Sequence, residues 1–347
     1  MSLPGQIGFR MPAEWEWHAA TWLTWPRPEG ISFPYRYELV PPVYAAFVSE
    51  LVAGEDVCIN VWDADMEGEV RAILTRHSVP LARVRFHHFP AYEPWCRDHG
   101  PIFLKRGSGT AQDRAVVDWG YNAWGNKYPP FDLDDAIPQH VARLRGLRLF
   151  SPGMVLEGGS IEVNGCGTVL TTEACLLNPN RNPSLSRAEI ERQLKGYLGV
   201  THVLWLGQGI EGDDTDGHID DLARFLNPAT VAIAREHDPA DPNFPILEDN
   251  LRRLRSMQDQ DGRGLRVVEL PTPGVVEFGG QRLPASYLNF YISNAALIVP
   301  TFGHSNDRVA IDILAREFPS RRVVGLDSSD LIWGLGSFHC ISQQEPA

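Results

Sequence analysis

One pattern recurs along the chain and limits what it can fold into: a strand, a loop, a helix and a second strand. Apolar spacing predicts a strand over 168–176, a loop over 178–183, a helix over 187–198 and a strand over 201–206. Ser186 with Glu189 three positions on reads as a capping box opening that helix, and Gly199 as its end. The same order returns over 230–234, a Pro-rich loop to Pro245, 246–257 and 265–270, and again over 295–301, 302–307, 308–318 and 321–326. Copies recur about every 60 residues. Two earlier ones begin near Thr21 and Pro101, the latter with its helix over 136–144. In the first, a strand over 20–25 stops at Pro26 and Pro28, and a helix over 41–52 carries Val43, Phe47, Val48 and Leu51 on one face. A strand over 56–62, a short helix over 67–75 and a strand over 84–89 follow. Five such units fill the chain. A unit with one apolar edge is stable only against neighbours, so a closed ring is expected. No low-complexity linker divides the sequence, and 238–245 reads as a surface loop, so one domain over 1–347 is expected.

The net charge of −13 argues against a nucleic-acid partner and is compatible with drawing in a cation, or with solubility alone. The cysteines, at 58, 96, 166, 175 and 340, are odd in number and form no CxxC pair, which suggests reduced thiols and a cytoplasmic setting rather than a zinc or disulfide framework. Residues 1–10 hold no apolar run of a signal peptide, and no stretch has the roughly 20 apolar residues of a membrane span.

Four polar clusters stand at strand ends or glycine turns, where functional groups concentrate. Cys340 follows a small-residue turn with Gly334 and Gly336, glycines that permit positive φ or close backbone approach, and is a candidate nucleophile or simply a small buried residue. His218 and Asp220 are two apart; on a strand they point to one side, into one pocket, unless the strand is merely a polar-faced surface element. The run from Asp213 to Asp221 holds five carboxylates, yet lacks the spacing and closing Glu of a calcium loop. Asp98 follows Arg97, either as a surface charge pair or as a pocket acid beside Trp95, whose indole suits a wall for a cation; Cys96 should face the core. Glu157 precedes Gly158 and Gly159, which would let a ligand approach, or is a solvated turn residue. Together these make a consistent set. Two aspartates can grip a planar cation, whose charge favours the thiolate of Cys340, while His218 carries protons. Cys–His–Asn proteolysis would leave the surplus carboxylates unexplained.

The chain resembles a known family at this point. MPAEW at 11–15, WCRDHGP at 95–101, DWGYNAWG at 118–125, LEGGS at 156–160, LTTE at 170–173 with LNPNRNP at 177–183, GHID at 217–220 and HCISQQ at 339–344 together resemble the agmatine deiminases, within the family that includes the bacterial peptidylarginine deiminases. The resemblance implies an α/β fold, the five-bladed pseudo-symmetric propeller of the penteins, in agreement with the repeat. It implies Cys340 as nucleophile, His218 as catalytic base and acid, Asp98 and Asp220 as guanidinium ligands, Glu157 as active-site carboxylate, Trp95 as pocket wall and Asp214 as an acidic group near the substrate. It further implies a small cationic guanidine as substrate, no metal or organic cofactor, and a homo-oligomer. The stretch GLGSFHC at 334–340 departs from the family's GGGNIHC at Leu335 and Ser337, which bears on which guanidine is used: agmatine, peptidyl-arginine or another. A guanidine-binding protein with a decayed site and an amidinotransferase are the readings from other classes.

Overall fold

In the computed structural model, residues 2–107 and 113–347 are described, so Met1 lies outside the described N-terminal stretch. The chain builds a mixed α/β fold from one repeated sheet. Strand β1 (His18–Thr24) runs parallel to β2 (Asp56–Val61), and β2 parallel to β3 (Val84–His88). Each of the next units opens with an antiparallel pair and ends on a parallel strand. These are β4 (Ile102–Arg106), β5 (Asp113–Val117) and β6 (Arg148–Phe150), then β7 (Glu162–Val163), β8 (Thr168–Thr172) and β9 (His202–Leu206). The unit of β10 (Ala223–Asn227), β11 (Thr230–Arg235) and β12 (Arg266–Pro271) follows, then a small hairpin, β13 (Glu277–Phe278) with β14 (Gln281–Arg282). The last unit is β15 (Tyr291–Ile292), β16 (Ala296–Thr301) and β17 (Arg322–Asp327). Finally β18 (Ser342–Pro346) lies antiparallel on β1, so the end of the chain completes the first sheet.

The parallel step in each unit needs a crossover, and helices supply it. Helix Arg187–Leu198 joins β8 to β9; it buries Ile190, Leu194 and Leu198, one stripe at helical spacing. Its capping box forms as the sequence predicts, and Gly199 closes it at φ 65°. There an added Cβ would stand 2.2 Å from the Phe9 carbonyl oxygen. Helices Val40–Leu51, Ile137–Arg145, Asn243–Ser256 and Asn306–Glu317 do the same in the other units.

Several sequence expectations need correction. The strand expected over 168–176 stops at Thr172, whose hydroxyl caps the short helix Glu173–Leu176 by accepting from the Cys175 N–H. The helix expected over 67–75 is Ala64–Arg76, because Asp63 caps it earlier. The helix expected from 246 begins at Asn243: Pro245 sits in its first turn, where a missing N–H costs nothing, so the surface loop expected over 238–245 gives up its end to the helix. None of the described helices is long and apolar enough to cross a membrane.

Candidate functional site

Each sheet carries its polar cluster at the same place, on the turn that enters its outer antiparallel strand. Asp98 lies in the turn Cys96–His99 ahead of β4, and Glu157 precedes the turn Gly158–Ser160 ahead of β7. His218 and Asp220 belong to the turn at Ile219–Asp221 ahead of β10, and Cys340 comes just before β18. The fourth unit corrects the expectation of a strand: a 3-10 turn, not i, i+2 alternation, brings His218 and Asp220 together. In the fifth unit the matching place, just before β15, holds Asn289. Its side chain donates to the Cys340 sulfur at 3.0 Å and to Asp221 at 3.0 Å. No motif marked Asn289; the repeat register alone could have found it.

These turns converge. Asp220 Oδ2 is 3.8 Å from Cys340 Sγ, and His218 Nδ1 is 3.6 Å from Asp98 Oδ1. Gly159 lets these groups pack this closely. A Cβ there would stand 2.5 Å from His218 Nδ1, 2.7 Å from Asp98 Oδ1 and 3.2 Å from Asp220 Oδ2. The Gly159 N–H donates to Asp98 Oδ1 at 3.1 Å, and the Trp124 indole N–H to Asp98 Oδ2 at 2.9 Å. Trp124 reaches that position from a left-handed turn in which Ala123, Trp124, Gly125 and Asn126 all have positive φ. Such backbone costs roughly 1–2 kcal/mol per non-glycine residue, strain of the kind found at functional sites.

The cluster opens into a cavity of about 300 Å³ lined by Trp95, Asp98, Trp124, Tyr128, Asp214 and Cys340, among others. Trp95 lines this cavity. Gly334 and Gly336 are needed for its indole: a Cβ on either would come within 2.8 Å of the ring. The positive φ expected of these glycines falls instead on Leu335, at 72°. Of the residues that depart from the family pattern, Leu335 lines the cavity, while buried Ser337 bonds its hydroxyl to that of Ser328 at 2.7 Å. Asp214 lines the cavity too, and its carboxylate accepts from the Tyr128 hydroxyl.

Neither bland alternative holds for the buried acids. Asp98 is buried and makes no pair with Arg97, which turns instead to Gln344 at 2.8 Å and Glu14 at 3.3 Å. Glu157 is fully buried rather than a solvated turn residue. Its Oε1 accepts from Arg181 at 2.6 Å, and its Oε2 has no partner. Arg181 lies in the loop that the sequence quoted as a motif without a role. Cys96 is core, as expected. The acidic run from Asp213 to Asp221 is dispersed: Asp213 takes the Thr215 and Gly217 N–H groups, Asp216 takes Arg181 and Lys127, and Asp220 takes His339. Among the described residues, the group with metal-ligand spacing is Glu157, Cys175 and His218.

Burial dominates the electrostatics. It pushes Asp98 up to about 6, with Asp220 and Glu157 adding to the rise against the pull of His218. Burial also pushes the Cys340 thiol well above its ordinary value, and Asp220, Asp221 and Asp98 push it further. For His218 burial opposes the charge, yet Asp98, Cys175 and Glu157 hold it well above the usual histidine range. For Asp220 burial is outweighed by His339, His218 and Arg224, and the group is lowered. In the free site burial thus favours the thiol of Cys340, while neighbouring acids favour the protonated form of His218.

Comparison with known proteins gives the family. The family model described as Porphyromonas-type peptidyl-arginine deiminase matches residues 10–346. The chain belongs to this family. Agmatine deiminases of Pseudomonas aeruginosa and Ectopseudomonas mendocina are each 38% identical to this member, over 100% and 99% of the chain and 98% and 97% of theirs. The solved agmatine deiminase of Enterococcus faecalis superposes with a TM-score of 0.92 at 35% identity, over 100% of this chain and 98% of that one. The mixed α/β fold of this peptidyl-arginine deiminase family member is thus that of the agmatine deiminase structures.

Proposed function

We propose that this chain deiminates agmatine hydrolytically, giving N-carbamoylputrescine and ammonia through an amidino-cysteine intermediate. The observation that carries the reading is a cavity lined by both Asp98 and Cys340, with the Asp220 carboxylate 3.8 Å from the Cys340 thiol, so that a planar cation there meets carboxylates and a nucleophile together. The guanidinium donates to Asp98 and Asp220, as guanidinium groups do to paired carboxylates. Its charge lowers the cost of ionising Cys340, whose proton passes to solvent as the substrate docks. The thiolate attacks the guanidinium carbon, a C–S bond forms, and His218 gives its proton to the nitrogen that departs as ammonia. The neutral imidazole then takes a proton from water, the hydroxide adds to the amidino carbon, and the C–S bond breaks to release the ureido product and the thiolate. Glu157, fixed by Arg181, supports the charge on His218. Trp95 forms the wall and Asp214 the acidic group nearer the mouth. No step calls on a metal or organic cofactor.

The five sheets, with β18 completing the first, support a five-bladed propeller formed by one domain over 1–347. Full-length superposition on agmatine deiminase supports the same reading. Ammonia release from agmatine, free arginine and an N-blocked arginine peptide, in wild type and Cys340→Ala, tests the function. Release from agmatine, abolished in the variant, is expected. Release from the peptide instead would move the substrate to the peptidyl-arginine class. Agmatine turnover that survives Cys340→Ala would remove the covalent route. Transfer to an added amine in place of water would identify an amidinotransferase.

A further inference from the structure

We infer that His339, the residue next to the nucleophile, is the positioning residue for Asp220, an inference that rests on the deiminase reading. His339 is buried between two carboxylates. Its Nδ1 is 2.6 Å from Asp220 Oδ2, and its Nε2 is 2.9 Å from Glu14 Oε2. An ionised carboxylate only accepts, so the ring donates at both nitrogens. Glu14 is itself held fast. Its Oε1 accepts from the Ile292 N–H at 2.8 Å and lies 2.9 Å from Arg224, while its Oε2 is 3.3 Å from Arg97. The imidazole is thus pinned at one edge to a fixed acid and at the other to a guanidinium-binding acid.

The consequence is geometric. Asp220 has two oxygens, and His339 occupies the one that also lies 3.8 Å from Cys340 Sγ. The other, Oδ1, is buried with no partner. His339 thereby fixes the rotation of the carboxylate whose Oδ2 lies beside Cys340 and Gly159. The backbone contributes as well: the His339 N–H donates to the Asn289 side-chain oxygen at 3.1 Å, which ties the ring's position to the residue bonded to the nucleophile. Sequence reading treated His339 only as a neighbour of Cys340, because its partners, Glu14 and Asp220, are distant in the chain.

Two substitutions separate positioning from packing. In His339→Asn the amide nitrogen takes the place of Nδ1 and can still donate to Asp220; in His339→Gln it takes the place of Nε2 and can donate only to Glu14. Each leaves one buried carboxylate oxygen without its donor, so a structural role predicts similar defects. Positioning predicts that His339→Gln raises KM for agmatine about ten- to hundredfold, the value of a charge-assisted hydrogen bond, with kcat changed less. His339→Asn stays within about threefold of wild type in KM, a difference below that of one hydrogen bond. Equal KM values for the two variants, or a loss confined to kcat, would overturn the proposal. Proton NMR of Cys340→Ala, with histidine labelled, needs no substitution at 339: the ring proton shared with Asp220 should shift when agmatine is added, and one that stays in place also overturns it. Wild-type protein that releases ammonia from no guanidine removes the deiminase reading and this role with it. Turnover by wild type with matched variants removes this role alone.

Discussion

Asp98 shows how one residue's surroundings set the pH range of the whole site. Its carboxyl is raised from 3.8 to about 6, mainly by burial. A raised carboxylate is protonated over a wider range, and a neutral Asp98 cannot hold a guanidinium as an ion pair. The sign follows: kcat/KM for agmatine should be flat above pH about 6 on this limb and fall as pH drops below it, approaching tenfold per unit. Asp220, held low, adds no second limb in that window. A kcat/KM profile for a purified preparation checks this, and an acid limb near pH about 4, the ordinary carboxylate range, would contradict the burial argument. Cys340 was legible as a candidate because small residues precede it, and its buried, neutral state was not. That state comes first from burial and then from Asp220, Asp221 and Asp98, which lie 119 to 242 positions away in sequence and act only through the fold.

At the scale of elements, the turn Gly158–Ser160 matters more than any helix. Gly159 has no need of an unusual φ; it is glycine because His218 and Asp98 press against it, leaving no room for a Cβ. Gly159→Ala should lower kcat/KM at least about a hundredfold, the scale of a displacement near 1 Å at a reacting centre. Its denaturation midpoint should change far less than its activity, since the added methyl displaces polar site groups rather than the apolar core. Loss of folding in step with activity, followed by urea titration, would make Gly159 a packing residue instead. Elements were the most legible level. The helix Arg187–Leu198 was found to the residue, because its cap, stripe and closing glycine are all local signals. The strand before it was drawn too long because Thr172 has strand chemistry but serves as a cap. His218 and Asp220 were placed on a strand for a similar reason: alternating polarity looks the same in a tight turn that is fixed by contacts from other units. The repeat itself carried more than was taken from it, since its register marks Asn289 as the fifth unit's contribution.

At the scale of the whole molecule, the units are joined through buried charge as well as through apolar packing. Arg224, on β10, is fully buried. It donates to Glu162 of β7 at 2.9 Å and to the carbonyls of Leu288 and Phe290, ahead of β15, at 3.1 and 2.8 Å. It also lies 2.9 Å from Glu14, in the segment before β1. Arg97 extends the network from the second unit to Glu14 and to Gln344 of β18. Four units and the segments near both ends of the chain therefore meet at two arginines and one glutamate. A buried ion pair is weak evidence for net stability, because desolvation offsets much of the attraction, but removing one partner leaves the others charged and unpaired. Arg224→Met keeps the stem's packing and deletes the charge, stranding Glu14 and Glu162. The expected cost is about 3–5 kcal/mol in urea unfolding at neutral pH. It should shrink on acidification, because a stranded carboxylate can then escape its cost by protonation. A cost below about 1 kcal/mol, the level of an exposed ion pair, would mean that the units hold together by their apolar faces alone. The larger cost, with its pH dependence, would make the same Glu14 that holds His339 the electrostatic centre of the assembled units, and would explain why the site's geometry depends on residues so far apart in the chain.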